Sequence, residues 1–355
     1  MKTVFLNIHY SNISGSMDYF RDFLLRNNYN VISVYNPLDN YDNNETVIYN
    51  NIDVVRRYKR RNLYIINFFI DFFVSLKYIN RYDFSTFIGA NNFDTFVGIF
   101  AKKVLKKNID KIIYFASDFS ENRFSNNILN KIYYFVEKIA VKNSDLVVSN
   151  TKRSELKRIE FGLDKNKSLV IPNGVLLNKE IFDSKDINKH KFVYVGSINK
   201  EHGLYDILFS ISSIIDEIYI IGVGDDLNRV ERILKEKNIN YYLLGRKDHE
   251  FVINFLQNFN GFGLAPYNSA QNWTYYCSPL KVIEYISCGV PVIMSDIPEI
   301  SEFILENDLG IVYSELTKQN LLEDIERFNV SGYNKKAQWF YNIYNQNKLF
   351  SEIKI

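Results

Sequence analysis

The segment from Gly261 to Glu302 reads GFGLAPYNSAQNWTYYCSPLKVIEYISCGVPVIMSDIPEISE. It contains an apolar run, a polar loop, a helical stretch over Pro279–Ser287, a Gly-Val-Pro break and a second apolar run over Pro291–Ser295. Strand, helix and strand in this order are typical of a βαβ unit, in which two parallel strands share a sheet and the helix covers it. This segment therefore predicts an α/β fold.

The same alternation continues from this segment towards both ends of the chain. The predicted strands are Thr3–Ile8, Asn30–Tyr35, Phe84–Gly89, Lys111–Phe115, Leu146–Ser149, Ser168–Ile171, Phe192–Gly196, Glu217–Ile221, Tyr241–Leu244 and the two quoted above. The alternation of strands and helices starts again near residue 190, after the polar stretch Leu176–Lys191. A length of 355 residues also suits two domains. We predict two doubly wound, Rossmann-like domains over 1–178 and 190–330 that face a cleft, and a helix over 334–355 that packs back on the first domain.

The composition excludes several classes of protein. With 46% hydrophobic and 24% charged residues, the chain is neither disordered nor fibrous. The 43 basic and 41 acidic residues give a formal net charge of +2, which argues against a nucleic-acid partner. Two Cys and four His supply few metal ligands and fit a reducing compartment, so we expect a cytoplasmic protein without a structural metal.

The most apolar segment is Asn62–Tyr78, and a basic run precedes it: Arg56, Arg57, Lys59, Arg60 and Arg61. No window of about 20 uninterrupted apolar residues occurs, so we expect no membrane-spanning helix. The pattern has two interpretations. Residues 56–82 contact an anionic membrane surface, or they form a buried amphipathic helix whose first turns carry solvated charge.

The common nucleotide-binding motifs are absent from the sequence. There is no GxxxxGK(S/T), and Leu227 stands where a dinucleotide fingerprint has its third glycine. The start of the Pro279–Ser287 helix is a better phosphate site, because Ser278 can cap it and its free N–H groups attract anions. Lys281 in the first turn opposes the helix dipole and indicates an anionic partner, and Glu284 can accept from ribose hydroxyls. The alternative is a surface ion pair between Lys281 and Glu284.

Three blocks of the chain resemble glycosyltransferases of GT-B fold, close to family 4 and its relatives. They are SPLKVIEYISCGVPVIMSDIPE at 278–299, IPNGV at 171–175 and FVYVGSINKEHGLYDIL at 192–208. The resemblance covers the second half of the chain. In the first half it is looser and rests on the loop Asn12–Gly15 and on the order of strands and helices. It implies a nucleotide-sugar donor held by the second domain and an acceptor that enters from the first.

The resemblance also implies roles for individual residues. Glu284 matches the residue that binds the nucleotide ribose, and Ser278 and Lys281 match a Ser-Pro-x-Lys variant that contacts the donor diphosphate. The other donor-binding candidates are Gly196, Ser197, Lys200, His202 and Arg246. The chain departs from the family pattern where Ser197 replaces an Arg, His202 replaces a Lys, and Tyr276 replaces the first Glu of an E-x7-E pair.

In the first domain, Asp118 ends a predicted strand where many family 4 enzymes have a His-Asp pair. An inverting enzyme needs such a carboxylate as a general base, and a retaining enzyme can use it to orient a substrate. The alternative is an Asx turn at the strand end. The candidate contacts to acceptor or sugar are Gly15, Glu121, Arg123 and Tyr276.

The resemblance thus implies a glycosyltransferase that uses a UDP- or GDP-linked sugar without a cofactor or a metal. The expected acceptor is a glycan or polyprenol-linked glycan in bacterial surface polysaccharide synthesis, of capsule or lipopolysaccharide, with retention slightly favoured over inversion. Two alternatives are a non-catalytic GT-B paralogue and a nucleotide-sugar 2-epimerase.

Overall fold

A computed structural model describes residues 2–10, 16–37, 45–59, 64–180, 182–183, 185–268, 272–314 and 318–355. The chain divides into two compact units. The first comprises residues 1–171 with 350–355, and the second comprises residues 172–349.

The first unit is built on an eight-stranded sheet. Its strands are β1 (Thr3–Tyr10), β2 (Asn30–Pro37), β3 (Glu45–Asn50), β4 (Asp53–Lys59), β5 (Thr86–Gly89), β6 (Lys111–Ala116), β7 (Leu146–Ser149) and β8 (Ser168–Val170). Its helices are α1 (Ser16–Arg26), α2 (Tyr64–Arg81), α3 (Asn92–Lys103), α4 (Asn127–Asn143) and α5 (Lys152–Glu160). The order is β4-β3-β2-β1-β5-β6-β7-β8, and all neighbours are parallel except β2–β3 and β3–β4.

The β3–β4 hairpin corrects the interpretation of the basic run as the first turns of a helix. Arg56, Arg57 and Lys59 lie on β4, the edge strand, and α2 begins only at Tyr64. β4 is exposed along nearly its whole length, so its sequence lacks the alternation that marks a half-buried strand. In the described part of the chain, no helix has the length and apolarity needed to cross a membrane.

The second unit contains a six-stranded parallel sheet in the order β11-β10-β9-β12-β13-β14. The strands are β9 (Lys191–Val195), β10 (Glu217–Ile221), β11 (Asn240–Gly245), β12 (Phe262–Ala265), β13 (Val292–Ser295) and β14 (Gly310–Tyr313). The helices are α6 (Leu204–Ile211), α7 (Leu227–Glu236), α8 (His249–Asn258), α9 (Asn272–Tyr276), α10 (Leu280–Ser287), α11 (Ile300–Glu306), α12 (Lys318–Arg327), α13 (Tyr333–Tyr344) and α14 (Gln346–Ser351).

Two hydrophobic cores lie on the two faces of this sheet. Phe192 and Tyr194 of β9 enter a core with residues of α6 and α7, whereas Val193 enters the other with residues of α8, α10 and α13. Alternate residues of a strand point to opposite faces, so the sheet is covered by helices on both. The α/β prediction is confirmed, and the second unit is doubly wound.

The chain reaches the second unit earlier than the expected linker, and it leaves it later than expected. Val175 forms a parallel bridge with Asn345, and Leu177 is buried in the second unit's core. The expected terminal helix is split into α13 and α14, because Asn345 between them has an extended backbone and bridges Val175. Helix α13 buries Phe340 in that same core. Of the expected terminal helix, only residues 350–355 belong to the first unit. There the Phe350 ring lies 5.0 Å from the ring of Phe20.

Candidate functional site

Glycines allow the loops that follow β9, β10 and β12 to approach one another by their backbones. Gly196 follows β9 with φ +134°, and Gly222 follows β10 with φ +152°. A Cβ on Gly222 would lie 1.9 Å from the Gly196 carbonyl oxygen, and one on Gly203 would lie 2.5 Å from that of Pro266. Side chains would separate these loops, which form the carboxyl edge of the sheet, where α/β folds bind ligands.

Helix α10 begins beside this edge without a side-chain cap. Pro279 occupies the N-cap position, and no side-chain cap bond is formed there. Ser278 was expected to cap the helix, but its hydroxyl oxygen instead accepts from the Asn173 backbone N–H at 3.0 Å. The Asn173 side-chain amide donates to the Ser278 carbonyl at 2.6 Å, so the IPNGV segment holds the start of α10. The first N–H groups of α10 are left for a ligand.

The Lys281 ammonium lies over the faces of two tyrosine rings. Its Nζ is 4.4 Å from the Tyr194 ring centroid and 5.5 Å from that of Tyr267. A Cβ on Gly196 would come within 3.0 Å of this Nζ, so glycine at 196 makes room for the ammonium. Burial lowers the pKa of Lys281 to about 8. Among the described residues Lys281 makes no ion pair with a carboxylate. The charge of Glu284 raises the pKa of Lys281, but burial outweighs it, so a bound anion would stabilise the ammonium further.

Glu284 has a partner that the sequence analysis did not identify. Its Oε1 lies 2.7 Å from Nε2 of His249, the first residue of α8, and this hydrogen bond raises the pKa of His249. Glu284 is buried and makes no ion pair with Lys281 in the described structure, so the two residues do not form the surface pair considered above. Tyr285 fixes the helix, because its hydroxyl accepts from the Val195 N–H of β9 at 2.8 Å.

The loop after β9 brings two more donor candidates close to Lys281. The Ser197 carbonyl oxygen lies 2.6 Å from Nδ1 of His202. Burial, and then the charge of Lys281, lower the pKa of His202, which therefore is neutral near pH 7. The His202 ring meets the edge of Trp273 at 5.8 Å.

The remaining candidates are more scattered. Lys200 is exposed on a short 3-10 helix over 200–202, and Arg246 is exposed immediately after β11. Tyr276 is buried at the end of α9. Gly15 lies outside the described residues.

In the first unit, Asp118 follows β6 and forms an ion pair. Its Oδ2 accepts from Nη1 of Arg123 at 3.0 Å, and its charge raises the pKa of Arg123. The fully buried Arg158 donates from Nη2 to the Asp118 carbonyl oxygen at 2.7 Å and so holds the backbone. Glu121 lies 3.3 Å from the Lys157 ammonium. Asp118 and Arg123 are therefore placed together, and Glu121 is engaged separately.

A buried cluster of one histidine and two carboxylates lies at the end of β1. His9 Nδ1 lies 2.7 Å from Asp94 Oδ1, and Nε2 lies 3.3 Å from Asp71 Oδ2. Burial alone would lower the pKa of His9, but the charges and hydrogen bonds of Asp94 and Asp71 outweigh it and raise this pKa to about 9. The side chains are almost inaccessible, so His9 is a packed residue whose charge the two carboxylates stabilise.

The described residues include no set of three or more His, Cys, Asp or Glu side chains arranged to hold a metal ion. Of the two cysteines, Cys277 is partly buried and Cys288 is buried, and both are thiols.

The chain is similar to known proteins both in sequence and in fold. Residues 192–349 match the family described as "Glucosyltransferase 3-like, C-terminal domain". A 41.2 kDa protein of the cps region of Klebsiella pneumoniae is 24% identical over 281 residues, which is 75% of this chain and 75% of that protein.

Solved structures with the same fold cover nearly the whole chain. Sucrose-phosphate synthase from Thermosynechococcus elongatus has a TM-score of 0.71 at 16% identity over 99% of this chain and 98% of that one. The lipopolysaccharide outer core galactosyltransferase WaaB, in its apo form, has a TM-score of 0.69 at 15% identity with the same coverage. HepE from Anabaena, in complex with UDP-glucose, has a TM-score of 0.63 at 14% identity over 99% of both chains.

Fold and family match together define the class of this protein: it is a glycosyltransferase with the GT-B fold. The match to the glucosyltransferase 3-like C-terminal domain covers residues 192–349, which lie in the second unit. The predicted fold class and enzyme class are confirmed.

Proposed function

We propose that this glycosyltransferase transfers a sugar from a UDP- or GDP-linked donor to a glycan or lipid-linked acceptor in the synthesis of a bacterial surface polysaccharide. The relative from a cps (capsule) region and the lipopolysaccharide galactosyltransferase among the structural neighbours support this acceptor class. HepE, which was solved with UDP and with UDP-glucose, supports a uridine diphosphate donor. We propose retention of configuration, with cytoplasmic catalysis at the membrane face.

The observation that carries the proposal is the Lys281 ammonium. It is partly buried, it faces tyrosine rings instead of a carboxylate, and it lies in the first turn of α10, whose N–H groups have no side-chain cap. A diphosphate placed there receives hydrogen bonds from the helix and charge from Lys281. The same contacts stabilise the nucleoside diphosphate as it leaves the sugar, so we propose that transfer needs no metal.

Glu284 and the loop after β9 complete the proposed donor site. The Glu284 carboxylate has a second oxygen besides the one bonded to His249, and we assign it to the ribose hydroxyls. Gly196 lets the diphosphate approach the backbone, and Ser197, Lys200 and His202 lie in the same loop. Arg246 is assigned to the nucleotide base and Ser278 to the diphosphate.

For the acceptor side we propose Asp118 and Arg123. Their ion pair neutralises the carboxylate, which suits a residue that orients sugar hydroxyls better than one that removes a proton. This pairing is the reason for preferring retention. Glu121, Tyr276 and Gly15 remain proposed sugar or acceptor contacts.

The test is UDP binding to the full chain, measured by calorimetry between pH 6.5 and pH 9.5. We expect Lys281→Met to weaken binding by at least about tenfold at pH 7, because a charge-assisted contact is lost. For the unchanged protein, affinity falls as pH rises above the Lys281 pKa of about 8, since the deprotonated amine no longer attracts the diphosphate. The variant lacks this decline.

The control is Lys237→Met, which removes an exposed cation at the end of α7. It should bind UDP as the unchanged protein does. Equal affinity and equal pH dependence in Lys281→Met would overturn the assigned donor site. Slow release of UDP from UDP-glucose, lost in Lys281→Met, would tie the same site to turnover.

A further inference from the structure

An open groove of about 330 Å³ lies beside helix α8 in the second unit. The rings of Tyr219, Phe251, Phe255 and Phe259 line it together with the Lys191 side chain, and we call it the α8 groove. Lys191 is the first residue of β9, whereas the donor candidates follow the last residues of the strands. The Lys191 end of the α8 groove therefore lies at the opposite end of the sheet from the proposed donor site, and no residue that lines the groove is a donor candidate.

The sequence of the helix places ring faces and amides side by side. Residues 251–259 read FVINFLQNF, with Phe at every fourth position and an Asn immediately before the second and third Phe. The three rings stack in sequence, with Phe251 and Phe255 6.2 Å apart at 20° and Phe255 and Phe259 5.7 Å apart at 24°. Asn254 and Asn258 line the same groove and are exposed, so a strip of rings is flanked by amide groups.

The neighbouring strands extend the strip. The Tyr219 ring lies 5.3 Å from that of Phe255 and stacks on Tyr242 at 4.7 Å and 14°. Nζ of Lys191 lies 5.3 Å from the Tyr219 ring and 3.8 Å from Glu217, which leaves the groove with little net charge. Phe251 and Tyr242 remain 39% and 47% exposed, so one end of the strip is open to solvent.

We propose that the α8 groove binds an oligosaccharide of two or more pyranose units. A pyranose ring presents an apolar C–H face that packs on aromatic rings, and hydroxyl groups around its edge. An Asn side chain offers both a donor and an acceptor, which suits neighbouring hydroxyls. A glycosyltransferase handles glycans, and a second glycan site would keep the acceptor or product close to the enzyme and raise its effective concentration. The proposal does not depend on the donor assignment.

The test is binding of maltotetraose, cellotetraose and chitotetraose to the full chain, followed by saturation-transfer NMR and calorimetry. We expect at least one of them to bind with a dissociation constant of about 1 mM or below. Phe251→Ala and Asn254→Ala should each weaken it by about tenfold, since one removes a ring face and the other an amide. Both positions are exposed, so the variants should keep the melting temperature of the unchanged protein.

The control is Phe209→Ala, which removes an exposed ring from α6 in the same unit. It should leave tetrasaccharide binding unchanged. UDP binding should be unchanged in Phe251→Ala, and tetrasaccharide binding should survive in Lys281→Met, so failure of this proposal and failure of the donor proposal are distinguishable.

Two results would overturn the proposal. One is that none of the three tetrasaccharides binds at about 10 mM, or that binding is the same in Phe251→Ala. The other is a dimer in analytical ultracentrifugation that Phe251→Ala dissociates, because the groove would then be a contact between two copies of this chain.

Discussion

At the scale of the residue, the partners of each buried cation decide its role. In the described structure Lys281 has tyrosine rings around its ammonium and makes no ion pair with a carboxylate, and burial lowers its pKa. His9 has two carboxylates within hydrogen-bonding distance, and its raised pKa shows a charge that the folded protein stabilises. The first arrangement suits ligand binding, whereas the second suits structural stability.

The first prediction concerns His9 and pH. The folded-state pKa of about 9 lies above the ordinary value of 6.5. Between these two pH values the folded protein therefore binds a proton at His9 that the unfolded protein has released. This stabilisation is fully present below about pH 6.5 and is lost as pH rises through about 9. We expect His9→Gln to lower the unfolding free energy by about 3 kcal/mol at pH 7 and by much less at pH 10. Urea unfolding at both values measures this.

The control for His9 is His190→Gln. His190 is partly exposed and lies 3.8 Å from Glu326, so its loss should change stability little at either pH. A deficit of His9→Gln that stayed constant between pH 7 and pH 10 would contradict a charged, carboxylate-stabilised imidazole.

Residues that share one element can be placed near each other from the sequence alone. Lys281 and Glu284 are three positions apart, so the helix alone placed both near the start of α10. His249 is 35 positions from Glu284, and His9 is 85 positions from Asp94. Only the folded sheet brings these pairs together, so no spacing in the sequence indicates them.

At the scale of the element, one lysine connects the ends of two helices. Nζ of Lys185 donates to the carbonyls of Leu256 and Phe259, each at 2.9 Å, and to that of Cys288 at 2.7 Å. These carbonyls lie at the carboxyl ends of α8 and α10, where the helix dipoles favour a cation. The carboxyl ends of α8 and α10 are thus held together by the single ammonium of Lys185.

The second prediction follows from this contact. Lys185→Met leaves three carbonyls without the ammonium, and we expect the unfolding free energy at pH 7 to fall by about 2 kcal/mol. Burial lowers the pKa of Lys185 to about 8, below its ordinary 10.5, so the unfolded state binds more protons between these values. Between about pH 8 and pH 10.5, Lys185 therefore makes the free energy of unfolding of the unchanged protein increase with pH. The Lys185→Met variant should lack this increase.

Urea unfolding at pH 7, 8 and 10 checks this prediction, with Lys179→Met as the control at an exposed position. If Lys185→Met matched the stability of Lys179→Met at pH 7, the ammonium would not be holding the two helices.

Elements were predicted well when they are buried. The parallel strands β1, β7 and β10 are apolar runs, because helices and neighbouring strands surround them. β3 and β4 were missed, because an antiparallel hairpin at a sheet edge needs neither a continuous apolar run nor strict alternation, and β4 carries Arg56 and Arg57 in succession. A continuous apolar run, which the largely exposed β11 also has, is therefore the signal that the sequence carries.

At the scale of the whole molecule, the proposed lipid-linked acceptor requires contact with a membrane. In the first unit, Ile66, Phe69 and Phe73 project from α2 into solvent, while Asp71 and Ser75 on the same helix are buried. Leu76, Tyr78 and Ile79 near the end of α2 are buried in the core, so the helix buries one apolar face and exposes additional apolar side chains in its first half. The edge strand β4 adds exposed Val54 and Val55 and the cations of Arg56 and Arg57, and we propose that this surface contacts anionic lipid.

The third prediction tests that surface with vesicles of phosphatidylglycerol and phosphatidylcholine. Arg56→Glu/Arg57→Glu should weaken binding to anionic vesicles by about tenfold or more, because each cation near the surface contributes about 1 kcal/mol. Phe69→Ser/Phe73→Ser should weaken it through lost apolar burial, with little dependence on salt. Arg232→Glu/Arg327→Glu in the second unit makes the same charge change at exposed positions and is the control. Vesicle sedimentation measures all three. If the control variant lost as much binding as the β4 variant, net charge alone would explain the attraction, and α2 with β4 would not be the membrane surface.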